Sequence, residues 1–473
     1  MRVFAGLLGA LLLCGAAPPR AAMLAEVGAN TISQRDLFIP LTGQRVRPIS
    51  AGSLFHTLFV DFFSEPDLTT YVQTGDIPAM WLRDSSAQTI PYVRFARYYP
   101  ILRERFAGVI ARNARNILTD PYANAFMANY HIWERKWEID SLAYPVMLTW
   151  IYWRETRDRS IFTPKLYDAL RRVVITYRCE QHHAQCSHYS YPYRVPTAHA
   201  YSDNTGLIWG AFRPSDDAVT YRFNIPQNAL AAVALEELAQ LAVTGYHDPR
   251  LAANARSLSA QVQVGIARYG RVYVKPYGWI YAYEVDGLGD ENFIDDANLP
   301  NLISLPYSQY LSGNDPTYLN TRAFALSKRN PYYYSGYYAS GLGSPHTPAG
   351  YVWPLGIISR ALTASSAGEA AEALSELAET DSKDGLIHES FYPGGYWRFT
   401  RAEFGWANAL YGELIFRSVA GFPATPFAPH GTILPFERAS TTPRLVSRIV
   451  QLENSAYLIR ALGQLLYENR AQR

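Results

Sequence analysis

The first chemistry this sequence offers is a division of labour between carboxylates. Asp216 and Asp217 follow Arg213-Pro214-Ser215 at an element boundary. Two adjacent like charges raise the proton affinity of one member, which is what a general acid requires. Capping of a following helix is the structural alternative for either aspartate. A general base needs an ionised carboxylate, and two are placed for that task. Glu389, in His388-Glu389-Ser390, falls in a loop after a helix, whereas Glu403 falls just inside the first turn of a predicted helix. There the helix dipole explains an acid without catalysis, so Glu389 is the preferred base.

Around these acids recurs a mixture of charge, hydroxyl and aromatic ring that suits a polyhydroxylated ligand. In Gly75-Asp76-Ile77-Pro78-Ala79-Met80-Trp81-Leu82-Arg83-Asp84-Ser85-Ser86, Gly and Pro read as a loop before a helix, and Trp81 stands beside Arg83 and Asp84. Arg83 and Asp84 would bind a ligand or form an ion pair at the helix start. Trp137-Glu138-Ile139-Asp140-Ser141-Leu142, Phe293-Ile294-Asp295-Asp296-Ala297-Asn298-Leu299-Pro300 and Gly343-Ser344-Pro345-His346-Thr347 repeat the pattern. They add Glu138, Asp140, Asp296, Asn298 and His346, with Arg213, to the candidate binding residues. Asp295-Asp296 lacks the oxygen-ligand spacing of a calcium loop.

Taken in order over roughly Val27 to Leu414, these stretches closely resemble glycoside hydrolase family 125, metal-independent exo-acting α-1,6-mannosidases that invert the anomeric centre. The resemblance implies an all-α-dominated (α/α)6 toroid with short β-hairpins and long loops. It places the general acid in the Asp216-Asp217 pair and the base at Glu389. Spacing does not choose between the aspartates, and Asp216 is preferred. An α-mannoside oligosaccharide is the implied partner, with no metal or other cofactor. Inversion would set the two carboxyl groups about 6.5 to 9.5 Å apart, leaving room for a water. The sugar and the linkage rest on the resemblance alone. A related toroid hydrolase or phosphorylase acting on an α-glucoside, and a catalytically silent carbohydrate-binding protein, are the competing readings.

Composition agrees with a sugar ligand and excludes some partners. Of 473 residues, 48% are hydrophobic and 14% aromatic, with 35 Tyr and 10 Trp, more rings than a helical core needs. Pyranose C–H faces pack on such rings, and Tyr also supplies a hydroxyl. A net charge of +2 and the lack of a basic block argue against nucleic acid. Met1-Arg2-Val3, the apolar run Phe4 to Leu13 and the small residues up to Ala22 predict a signal peptide over 1–22. Residues 23–473 would then be a single exported, periplasmic catalytic domain. Lipidation at Cys14 is the alternative, disfavoured by Leu13 before it. No later apolar stretch approaches 18 residues, so no transmembrane anchor is expected. Oligomeric state is left open. Cys179 and Cys186 suit a small-loop disulfide, with a metal site including His182, His183 and His188, or two uninvolved thiols, as the alternatives.

Helical periodicity predicts helices over Pro91–Asp120 with an interruption at Pro100, Ser141–Arg157 with Pro145 in its first turn, and one opening at Thr163-Pro164. Pro226–Thr244 and Pro249–Ile266 form an α-hairpin. Further helices are expected over Leu299–Leu311, Thr317–Lys328, Trp353–Leu362, Ser366–Thr380 and Glu403–Val419. Arg271–Tyr283 reads as a short β-hairpin, 421–435 as a Pro-rich tract and 443–470 as a closing amphipathic segment.

Overall fold

Two kinds of helix alternate along the chain, and their burial patterns determine where each packs. The computed structural model describes residues 56–58, 60–191, 199–382 and 384–417, with the backbone of Leu37–Ile39, Gln44–Val46 and the last helix to Ala420. The predicted 1–22 signal peptide, the 421–435 tract and the 443–470 segment lie outside the described residues. Ten helices of eight or more residues lie within them. In chain order they are α1 (Leu82–Thr89), α2 (Pro100–Thr119), α3 (Asp140–Thr156), α4 (Pro164–Glu180) and α5 (Ile225–Tyr246), followed by α6 (Pro249–Tyr269), α7 (Pro316–Ala325), α8 (Pro354–Leu362), α9 (Ala367–Glu379) and α10 (Gly405–Ala420).

Every residue of α1 and α8 is buried, and α3 and α5 are buried on nearly all faces. Helices without a polar face must sit inside, and these do. α1 packs on α3 and α10, α3 on α5, and α8 on α10. Between α5 and α8 lies the 3₁₀ turn Leu302–Ser304, which packs on α8. By contrast, α6 buries one stripe, Leu251, Ala255, Leu258, Val262 and Ile266, against α5, as expected of an outer helix. α9 backs α8 in the same manner, and α2 packs on α3 and α4. The result is an (α/α)6 toroid whose loops carry short antiparallel hairpins, among them Arg271–Val274 with Gly278–Tyr281. None of the described helices is long and apolar enough to cross a membrane.

Local chemistry sets the helix ends. Thr163, Asn224, Asp248, Asp315 and Ser366 accept backbone N–H bonds at the starts of α4, α5, α6, α7 and α9, and Pro occupies the first turn of six helices, where its missing N–H costs nothing. Three expectations need correction. Pro145 lies inside α3 rather than in its first turn, so the packing of an inner helix tolerates the lost backbone bond. Leu299–Leu311 forms no α-helix. Its backbone donors are taken by side chains instead: Asp295 accepts from Leu302 and Ile303, and Asn301 with Ser304 forms a capping box. α10 begins at Gly405, so Glu403 precedes the helix.

Cys179 and Cys186 are joined in a disulfide, which leaves neither thiol for a metal. Nearby His183 stacks on Trp209 at 3.6 Å and pairs with Glu180. A separate cavity of about 110 Å³ lies among α1, α3, α5, α10 and the 299–309 segment, lined by Met147, Trp150, Tyr307 and Leu410, and none of the predicted site residues line it.

The toroid closes where the approach to α1 meets the approach to α10. Gly75 has φ +58° and lies against the Glu403 carbonyl, which Asp76 N–H also contacts at 3.3 Å. A Cβ there would come within 2.3 Å of that oxygen. Gly75→Ala is therefore expected to destabilise the fold by about 1–3 kcal/mol. Urea unfolding should show a lower midpoint at unchanged slope.

Candidate active site

The predicted stretches share one feature that no local pattern displays. Each lies just before an inner element of the toroid or runs into its first turn. Met80–Trp81 leads into α1, Trp137–Ile139 into α3, Arg213–Asp217 through Phe223–Asn224 into α5, Asp295–Asn298 into the Leu302 turn, His346 through Trp353 into α8, and Glu389 through Arg401 into α10. The amino ends of the inner helices thus gather at one mouth. Their positive dipole ends favour the acids found there.

Arg83 is the centre of that mouth. Nη1 donates to Glu138 Oε2 at 2.6 Å and Asp140 Oδ2 at 3.3 Å, Nη2 donates to Asp216 Oδ1 at 3.0 Å, and Nε faces Asp84 Oδ2 at 3.3 Å. Four buried carboxylates around one guanidinium cannot all stay charged, because each unpaired buried charge costs several kcal/mol. Burial, reinforced by the charge of Asp216, pushes Glu138 well above the usual carboxylate range despite Arg83. Burial likewise raises Asp140 and pushes Asp84 up to about 6. Burial acts upward on Asp216 too, but Arg83, the hydrogen bond with Glu138, Lys136 and His346 outweigh it and hold its carboxyl below the ordinary range. The proton that the Glu138–Asp216 pair retains therefore rests on Glu138. Gln227 completes the support by donating to Asp140 Oδ1 at 2.5 Å.

Asp216 and Asp217 occupy a tight turn, not a helix cap. Arg213 N–H donates to the Asp217 carbonyl across it at 2.8 Å, and Asp216 has φ +65°, an uncommon conformation for a non-glycine residue. Asp217 accepts from Ser215 Oγ at 2.9 Å and lies 3.6 Å from His346 Nδ1. Burial lowers the proton affinity of His346, yet Asp217, Asp216 and Glu389 overcome it and push its pKa up to about 9. The imidazole thus feels both the aspartate pair and Glu389. Arg401 donates to Glu389 Oε1 at 3.4 Å and ties it to Asp76 Oδ1 at 2.8 Å and to the Thr74 carbonyl at 2.7 Å. Its φ of +41° marks a strained backbone held at this junction. Glu403 points elsewhere, its Oε1 accepting from His56 Nε2 at 2.9 Å.

Aromatic rings form the layer beneath the acids. Trp353 packs against His346 and Phe404, Phe404 against Trp406, and Trp406 against Tyr144 and under Arg83. Trp81 Nε1 and Asp84 Oδ2 are buried polar atoms without a hydrogen-bond partner, suited to sugar hydroxyls.

A sequence model described as metal-independent alpha-mannosidase (GH125) matches residues 51–416. The chain belongs to this family. It is a glycoside hydrolase, an α-mannosidase. It is 36% identical over 392 residues to the meiotically up-regulated gene 157 protein of Schizosaccharomyces pombe (strain 972 / ATCC 24843), covering 73% of this chain and 76% of that one. A Streptococcus pneumoniae protein, described among the metal-independent alpha mannosidases and solved as a non-productive substrate complex with alpha-1,6-mannobiose, superposes with a TM-score of 0.74. The two are 36% identical, over 77% of this chain and 92% of that one. A bacterial glucoamylase complexed with acarbose matches at a TM-score of 0.51 and 14% identity, over 72% of this chain and 49% of that one, and shows the shared fold alone.

In this α-mannosidase the predicted residues divide by position. Arg83, Asp84, Glu138, Asp140 and Asp216 form one network, and Asp217, His346 and Glu389 form its neighbour. Asp296 accepts from Asn298 Nδ2 at 2.9 Å and Ser344 Oγ at 3.1 Å, joining two approach loops. Arg213, expected among the substrate-binding residues, is engaged by an acid outside the Arg83 network. It pairs with Glu284 through Nε at 2.6 Å and Nη2 at 3.0 Å and so anchors the turn that carries Asp216. Sequence reasoning missed Asn124, whose Nδ2 touches Glu134, Glu138 and Asp216, and missed the roles of Gln227 and Arg401. No local pattern marks an Asn or Gln that acts only through distant partners.

The raised pKa of His346 is open to direct measurement. Its ring resonances should titrate near pH 9 by NMR, and Asp217→Asn should move the midpoint down toward the ordinary value of about 6.5. Because the folded value is the higher one, the stability it contributes is full below about pH 6.5 and is lost as pH rises through about 9.

Proposed function

We propose that this α-mannosidase is exo-acting and inverting, and that it releases the terminal mannose of α-1,6-linked mannosides. The observation that carries the reading is the division of acids across the mouth. Asp216 sits in the Arg83 network with a proton stored beside it, and Glu389 is held on a separate loop by Arg401, with His346 within the field of both. The alpha-1,6-mannobiose bound by the S. pneumoniae relative supports the linkage.

In this mechanism Asp216 is the donor that meets the substrate. Its side chain is 15% exposed, whereas that of Glu138 is fully buried. As the C1–O bond breaks, Glu138 passes its proton across their hydrogen bond to Asp216, and Asp216 hands it on to the leaving oxygen. Glu389 accepts a proton from the water that attacks C1 from the opposite face. One glycoside and one water become two sugars, and the proton on Glu389 returns to the acid pair through solvent. Trp81 and Asp84 bind the terminal sugar, and no step requires a metal. Export is part of the proposal, and the Cys179–Cys186 disulfide suits an oxidising compartment.

Two measurements test this. Incubated with α-1,6-, α-1,2- and α-1,3-mannobiose in chelator and without phosphate, the enzyme should release mannose mainly from the 1,6 isomer, and NMR should show β-mannose forming first. Initial α-mannose, equal cleavage of the three isomers, or loss of activity on chelation would contradict it. Glu389→Gln and Asp216→Asn should each lower kcat by about 10²–10⁴-fold, and Glu138→Gln by about 10²-fold with little change in KM. A larger loss in Asp217→Asn than in Asp216→Asn would move the donor to Asp217.

A further inference from the structure

Two β-hairpins rise from the loops that carry His346 and Glu389, and their tips expose rings that no core explains. The first pairs Tyr333–Ser335 with Ser340–Leu342 and runs directly into Gly343–His346. The second pairs Ser390–Phe391 with Phe399–Thr400, and Glu389 immediately precedes it. Val352 and Phe391 exchange backbone bonds of 2.8 and 2.9 Å, locking the second hairpin beside Trp353 and hence beside His346. The tips are also fastened together. Tyr338 N–H donates to the Pro393 carbonyl at 3.0 Å, and a Cβ on Gly336 would lie 2.4 Å from the Pro393 backbone, so the two chains meet where only glycine fits.

On this platform Tyr337 is 88% exposed, Trp397 62% and Tyr392 39%. The rings form a continuous set: Tyr337 with Tyr338 at 4.8 Å, Tyr338 with Tyr396 at 5.0 Å, and Tyr396 with Trp397 at 5.6 Å. Each of them carries a hydroxyl or an indole N–H. An apolar face with polar tips suits a pyranose, whose C–H faces stack while its hydroxyls hydrogen-bond. Tyr392 is three residues beyond Glu389, about 10 Å at strand rise, so the hairpin that bears it starts at the proposed base.

We propose that the two tips bind the part of the glycan that leads away from the sugar being cleaved. This rests on the mannosidase reading of the same site and adds a requirement for chain length. The enzyme would then prefer an oligosaccharide or a polymer to a disaccharide.

The test is a Trp397→Ala/Tyr337→Ala double variant, whose exposed positions should leave the melting temperature unchanged. Its kcat/KM on α-1,6-mannobiose should stay within about twofold of the wild type. On an α-1,6-linked mannohexaose it should fall about tenfold, mostly through KM. Equal loss on both substrates, or none on the hexaose, overturns the proposal. Wild-type enzyme that cleaves neither length would defeat the functional reading instead. In that case electrophoresis through gels containing α-1,6-mannan decides: retardation of the wild type and not of the variant supports the surface, and equal migration overturns it.

Discussion

One guanidinium amid four carboxylates is the constraint on which this site depends. Arg83 is buried on α1, and Asp84, Glu138, Asp140 and Asp216 come to it from three different segments. Without it, several acids would share a pocket shielded from water, and they would either repel one another or all take up protons. With it, the charge localises at Asp216 and the proton at Glu138. The cation therefore does more than neutralise. It sorts four chemically similar groups into distinct protonation states.

The toroid makes this sorting possible. Inner helices that are apolar on all faces must pack side by side, and their amino ends then converge whether or not the loops before them are related. Each loop needs only a few residues of chemistry, because the helix that follows supplies the position. The outer layer contributes mainly burial. Strain collects at the mouth, in the positive φ of Asp216 and Arg401, where bonds across the ring hold conformations that isolated loops would not keep. The aromatic layer from Trp353 through Phe404 and Trp406 to Tyr144 separates these polar networks from the core below.

Much of this was legible in the chain. Helical periods located most of the elements, since α2, α4 and α6 bury one stripe and α3 and α5 bury nearly every face. Pairing of α5 with α6 followed from a short turn between two Ala- and Leu-rich runs. The stretches around Arg83, Glu138, Asp216, Asp296, His346 and Glu389 stood out because charge beside an aromatic ring in a loop is unusual for a core. Period failed at Leu299–Leu311, where side chains of Asp295 and Asn301 took the backbone donors that a helix would have used. It also started α10 at Glu403, just ahead of the true first residue, Gly405.

The sequence by itself determined the helical class, the motifs and, through their order, the family, because these depend on residue type and spacing within single segments. Only the tertiary structure decided how those residues relate. Arg213 and Arg83 are both arginines beside acidic motifs, yet one binds Glu284 behind the turn and the other organises the acids. Asp216 and Asp217 are adjacent, yet one faces Arg83 and the other His346. Those assignments depend on electrostatic partners more than fifty residues away in the chain, and their energies exist only once folding has removed the intervening water.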